Sequence, residues 1–223
     1  MVAVMNLPEK LTEQEGERFV ILNGISWETY ERLLNEHPDS AGPRFTYDQG
    51  RLQIMVLSLL HERVNRTLAA LVELVTEEFE IDLIRTGSTT FKRQDLLKGF
   101  EPDTCFYLQN AEAISGKDKI DLLSDPPPDL VIEIDISSGS LNKFPIFAAV
   151  GVPEVWRFDG ETVAIFVLEN GEYGKAEHSL ALAPLDSEIL TKFLADSVEM
   201  KSNAWKRSVR EWARAQSKPE DQQ

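Results

Sequence analysis

Between Pro126 and Asp159 the chain reads PPPDLVIEIDISSGSLNKFPIFAAVGVPEVWRFD, and this stretch constrains the fold more than any other. The proline run resists helix and sheet, so it marks a loop that ends where a strand begins. The alternation that follows predicts a strand over Asp129–Ile136. Leu130, Ile132, Ile134 and Ile136 form an aliphatic face suited to a core, and Asp129, Val131, Glu133 and Asp135 form the other. Carboxylates on an interior strand cost several kcal/mol unless they are paired, hydrogen-bonded or bound to a cation. Ser137-Ser138-Gly139-Ser140 reads as a turn and Asn142 as a helix cap, with Pro145 in the first helical turn. Phe144, Phe147 and Ala148 give that helix its apolar side, Gly151-Val152-Pro153 ends it, and Val155 to Phe158 reads as the next strand. A strand, helix, strand unit of this length implies a parallel crossover in an α/β sheet. Lys143 then falls in the first helical turn, where the macrodipole disfavours a cation. An acidic partner would offset that, and Glu133 and Asp135 are the nearest.

The rest of the chain fits around this unit. Residues 1–16 are polar and read as irregular, and Arg18–Leu22 as a short strand. Ser26 caps a helix over Trp27–His37; a loop over His37–Pro43 leads to a hairpin of Phe45–Tyr47 and Leu52–Leu57 around Asp48-Gln49-Gly50. The longest helical periodicity runs from Leu59 to Phe79, with Val64, Leu68, Leu71, Val72 and Val75 on its apolar face. Ile81–Ile84, Thr89–Arg93 and Gly99–Tyr107 read as strands, and in the last Asp103, Cys105 and Tyr107 share a face. Asn110–Pro126 reads as a polar loop. Thr162–Leu168 reads as a strand turning at Asn170-Gly171; helices follow over Asp186–Leu194 and Asn203–Gln216, and the last residues read as frayed.

Glu101-Pro102-Asp103, Pro128–Glu133, Lys143 followed by Phe147, and Gly151-Val152-Pro153-Glu154-Val155-Trp156 together resemble the Uma-two family of restriction-endonuclease-like proteins, whose core is the PD-(D/E)XK nuclease fold. The resemblance covers roughly residues 40–170. It implies a mixed-sheet α/β fold with a restriction-endonuclease-like core, flanking helices and an N-terminal addition. On that reading residues 1–40 are an extension packed on the core, 41–170 the core, and 171–223 a C-terminal helical extension, in one compact domain.

By the same resemblance Asp103 and Glu133 hold a magnesium or manganese ion, and Lys143 supplies the motif lysine. His61, which matches a histidine carried at the start of the long helix, lines the cleft or orients a phosphate, the alternative being a surface or capping residue. The implied activity is metal-dependent endonucleolytic hydrolysis of phosphodiester bonds in nucleic acid, with DNA the favoured substrate and a homodimer one assembly left open. The standard motif places its lysine two residues after the glutamate, where this chain has Asp135, so Lys143 must reach back from the helix. The alternative is a catalytically silent module of the same fold that binds DNA or protein. Glu62 reads as a solvated helix charge, His37 and His178 as surface residues, and Cys105 as a small buried hydrophobe.

Composition narrows the classes further. The formal net charge is −15, which repels nucleic acid at long range and leaves only a local basic groove to attract it. Lys92, Arg93, Lys98 and Lys143 are candidates for such a groove; Lys201, Lys206, Arg207 and Arg210 form a second basic cluster. No apolar run approaches the ~20 residues that span a bilayer. The single cysteine excludes an internal disulfide and, with no basic-plus-apolar leader at Met1–Met5, points to the cytoplasm.

Overall fold

A computed structural model describes residues 18–37, 42–136 and 139–217. The readings for residues 1–16, Ser137, Ser138, most of the loop after His37 and the final residues lie outside the described residues. In chain order the first elements are β1 (Arg18–Asn23), α1 (Trp27–Glu36), β2 (Arg44–Asp48), β3 (Arg51–Val56) and α2 (Leu59–Glu78). They are followed by β4 (Ile84–Arg85), β5 (Phe91–Arg93), β6 (Lys98–Phe100), β7 (Thr104–Tyr107), α3 (Ala111–Ile114) and β8 (Leu130–Ile134). The last are α4 (Phe144–Val150), β9 (Glu154–Phe158), β10 (Val163–Glu169), β11 (Glu172–Ala176), α5 (Ser187–Glu199) and α6 (Ser202–Gln216).

Two sheets organise these elements. The first is antiparallel, in the order β1-β3-β2-β6-β5. Its hairpin turns at Gln49 and Gly50, both at positive φ (47° and 90°), the backbone that matches the twist of flanking strands. The Ser26 hydroxyl accepts from the Thr29 N–H and starts α1, which lays Trp27 and Tyr30 over Phe45, Tyr47 and Leu52. Tyr30 and Tyr47 stack with centroids 4.9 Å apart.

The second sheet runs β11-β10-β9-β8-β7-β4. Within it β8 and β9 are parallel, joined by α4, and the remaining pairs are antiparallel. Every residue of β8 is buried. Leu130, Ile132 and Ile134 share a core with Val64, Leu68 and Leu71 of α2 and with Leu190, Leu194 and Val209 of α5 and α6. Val131, on the opposite face, packs with Cys105, Phe147, Val152 and Val155. The alternation therefore buries both faces, as expected of a strand covered by helices on each side. Gly151, at φ 83°, closes α4. The hairpin at Asn170-Gly171 forms as its turn residues predict, and residues 172–176 add β11 to the large sheet.

The structure differs from the sequence reading in several places. Gly99–Tyr107 is two strands in two sheets, because Pro102 lacks the N–H a ladder needs and the chain crosses between sheets there. Glu101 stitches the crossing, accepting from the Phe45 N–H at 2.9 Å and from the Thr90 hydroxyl at 2.7 Å. The strand expected over Ile81–Ile84 shortens to Ile84–Arg85. Asp129 lies just outside β8, its carboxylate accepting from the N–H groups of Leu108 and Asn110 and from the Asn110 carboxamide. Lys143 is the N-cap of α4 and not part of its first turn, and the Asn142 side chain accepts from the Phe144 N–H at 3.1 Å. Among the described residues no helix is long and apolar enough to cross a membrane.

Candidate active site

Three elements and one crossover bring the singled-out side chains together. Cys105 pairs with Val131 and Thr104 with Ile132, so the antiparallel register, continued by one residue, sets Asp103 opposite Glu133. Asp103 Oδ2 accepts the Ile134 N–H at 2.7 Å, taking the place of a ladder carbonyl where β7 has not yet begun. The Ser58 hydroxyl caps α2 through the His61 N–H. Packing of α2 on β8 then buries His61 completely and sets its Nε2 3.0 Å from Asp103 Oδ1. Asn65, one turn on, donates its carboxamide to the Asp103 carbonyl at 3.0 Å. From the other face Lys143, at the head of α4, donates to Glu133 Oε2 at 2.5 Å.

Burial governs the electrostatics, since Asp103 and Glu133 are only 4 % and 6 % exposed. At Asp103 burial pushes the carboxyl up, but Lys143, His61 and the Ile134 N–H together outweigh it and hold the group below the usual carboxylate range. At Glu133 burial prevails over the attraction of Lys143, the Asp103 charge adds to it, and the carboxyl is pushed up to about 7. The environment thus drives the two neighbouring carboxyls apart in their affinity for a proton.

Asp103 and Glu133 are the residues that could hold a hard divalent ion, although both Asp103 oxygens already have partners in His61 and the Ile134 N–H. Glu133 Oε1 is buried without a hydrogen-bond partner, and both acids supply the oxygens such ions take. Among the described residues no cluster of three or more His, Cys, Asp or Glu side chains gathers for a metal, and the candidate ligands there are the two carboxylates. That set suits an ion that keeps several of its own waters, as magnesium does.

The other residues separate clearly. Asp135 does not meet Lys143; it lies 3.1 Å from Arg157 Nη2 and accepts from the Ser140 hydroxyl at 2.9 Å. Glu62 pairs with Arg66 at 3.6 Å on the outer face of α2. Cys105 is buried against Thr86, and burial pushes its thiol up to about 12. Lys92, Arg93 and Lys98 pair with Glu31, Asp95 and Asp48, so these expected groove cations are neutralised locally. Arg210 likewise pairs with Glu77. His178 is exposed beside Glu177. Glu154 and Trp156 form a buried structural pair: the indole donates to Glu154 Oε1 at 2.5 Å and the Ala181 N–H to Oε2 at 2.7 Å. Asn65 and Arg157 escaped the sequence reading. A helix turn added to His61 would have pointed to the first, and the β8–β9 pairing alone exposes the second.

A family model described as "Putative restriction endonuclease", Uma2, matches residues 27–201. Among solved structures, the crystal structure of "a putative nuclease belonging to DUF820" from Anabaena variabilis is similar. Its TM-score is 0.48 at 14% identity, over 67% of this chain and 90% of that one. No curated protein matches.

Proposed function

Since this chain belongs to the Uma2 family of restriction-endonuclease relatives, we propose that it is a metal-dependent endonuclease that hydrolyses phosphodiester bonds, with DNA as substrate. The observation that carries the reading is the meeting of Asp103, from the crossover before β7, with Glu133 of β8 and Lys143 at a helix head, the latter two lining a cleft of about 540 Å³.

On this reading Asp103 and Glu133 hold magnesium or manganese. When bound there, the ion polarises the phosphate and makes an attacking water more acidic. The side chains do the rest. His61, Asn65 and the Ile134 N–H fix Asp103 in one orientation. Glu133 gives up its proton to become a ligand, which its raised affinity makes pH-sensitive at neutrality. Lys143 compensates charge twice: against Glu133 in the resting protein, and against the charge that builds on the phosphate during cleavage. Its place at a helix head, and not on β8, keeps the cation at the cleft although Asp135 occupies the motif position.

Relaxation of supercoiled plasmid by the purified protein tests this. Cleavage should require manganese or magnesium, stop with chelator, and fall at least a hundredfold in Asp103→Asn, Glu133→Gln and Lys143→Ala. Equal nicking by all three variants would place the activity elsewhere. Tight DNA binding without cleavage under any divalent ion would leave the silent module, which Asp135 at the motif position favours.

A further inference from the structure

Across the parallel β8–β9 ladder Glu133 is paired with Arg157. Paired residues leave a sheet on the same side, so Arg157 rises beside Glu133 toward Lys143. One cleft collects Glu133, Asp135, Lys143, Phe144, Arg157 and Asp159 on its walls. The Arg157 guanidinium stands 5.8 Å from the centre of the Phe144 ring, and Nη2 is 3.1 Å from Asp135 Oδ2. Its Nε is buried without a hydrogen-bond partner, while the side chain as a whole is 39% exposed. The fork is thus anchored at one tine and incompletely used.

We infer that Arg157 is a phosphate-binding residue of this cleft, holding a backbone phosphate of the nucleic acid beside the bond that is cut; the inference rests on the nuclease reading above. A guanidinium offers parallel donors matched to phosphate oxygens, and Phe144 restricts the plane in which it can lie. A partly exposed Arg–Asp pair contributes little to stability, so stability alone does not account for a half-used fork. Asp135 acts as an internal stand-in for the phosphate. It also accepts the Ser140 hydroxyl, and so keeps a partner when Arg157 turns away. The pair solves a problem specific to this chain: Asp135 puts an anion where the motif has a cation, and Arg157, across the ladder from Glu133, reaches it with a positive charge.

The opposite signs of two substitutions test the assignment. Binding of a short fluorescein-labelled DNA duplex is followed by anisotropy in chelator over a series of salt concentrations, and KM for the same duplex is measured in manganese. Arg157→Ala should weaken binding about tenfold and lower the salt slope by about one, with thermal midpoint and manganese-induced stabilisation unchanged. Arg157→Lys should recover only part of the loss. Asp135→Asn should bind several-fold more tightly, and the gain should vanish in the double variant. Should Arg157→Ala fail to fold, Arg157→Lys and Asp135→Asn carry the same comparison. Wild-type affinity and slope in Arg157→Ala, or weakening by Asp135→Asn as large as by Arg157→Ala, would overturn the inference while plasmid cleavage by the wild type leaves the nuclease reading standing. A wild type that neither binds the duplex nor cuts plasmid would remove both.

Discussion

Glu133 is the residue on which opposing forces are most nearly balanced. Burial and the Asp103 charge favour its neutral form, and Lys143 favours its ionised form. Burial prevails, so the folded protein binds this proton more tightly than the unfolded chain does. Such a group stabilises the fold fully below its unfolded pKa, and that contribution is lost as pH rises through about 7. Asp103 has the opposite sign: its depressed carboxyl stabilises at neutral pH and loses its contribution only in acid. In chelator, therefore, the thermal midpoint should fall between about pH 5 and pH 8, and Glu133→Gln should flatten that fall. Thermal melts of both proteins at matched ionic strength check this; parallel curves would mean that Glu133 titrates normally. A divalent ion should likewise flatten the fall, because it takes the role of the proton.

At the scale of elements, the packing of α1 on the small sheet includes one very close approach. A Cβ placed on Gly99 would meet the Tyr30 hydroxyl and, at 2.8 Å, ring atoms Cε1 and Cζ of Tyr30, which is fully buried under Trp27 and Tyr47. Gly99→Ala should accordingly cost about 1–3 kcal/mol by overpacking. Denaturant unfolding measures it, and an unchanged midpoint would show that α1 shifts freely on the sheet. The same region shows what local pattern can and cannot convey. The β8–α4–β9 unit was legible because alternation, proline and glycine mark its ends within a few residues. That Lys143 meets an acid of this strand was legible too, since an uncompensated cation at a helix head seeks one; the choice of Glu133 over Asp135 was not. The split at Pro102 was harder: the residues on both sides favour strand, and only the presence of a second sheet separates them. Burial of His61 depends on how α2 lies across β8, and the nearness of Arg157 to Glu133 on a parallel register, neither of which is encoded in spacing along the chain.

For the whole molecule, the balance to be explained is between a net charge of −15 and the polyanionic substrate proposed above. Long-range attraction cannot recruit DNA to such a surface, so association should be slow and strongly dependent on what the cleft itself offers. Lys143 and Arg157 are the cations that line it, set against Glu133, Asp135 and Asp159. A bound divalent ion would shift that local sum toward positive and so strengthen substrate binding beyond what the cleft offers without it. Everything then depends on whether Asp103 and Glu133 hold the ion. Calorimetric titration of manganese into the wild type, Asp103→Asn and Glu133→Gln measures this most directly. One ion should bind the wild type, with release of a proton near neutrality from Glu133, and affinity should fall at least tenfold in each variant. Equal manganese affinity in all three proteins would contradict the site.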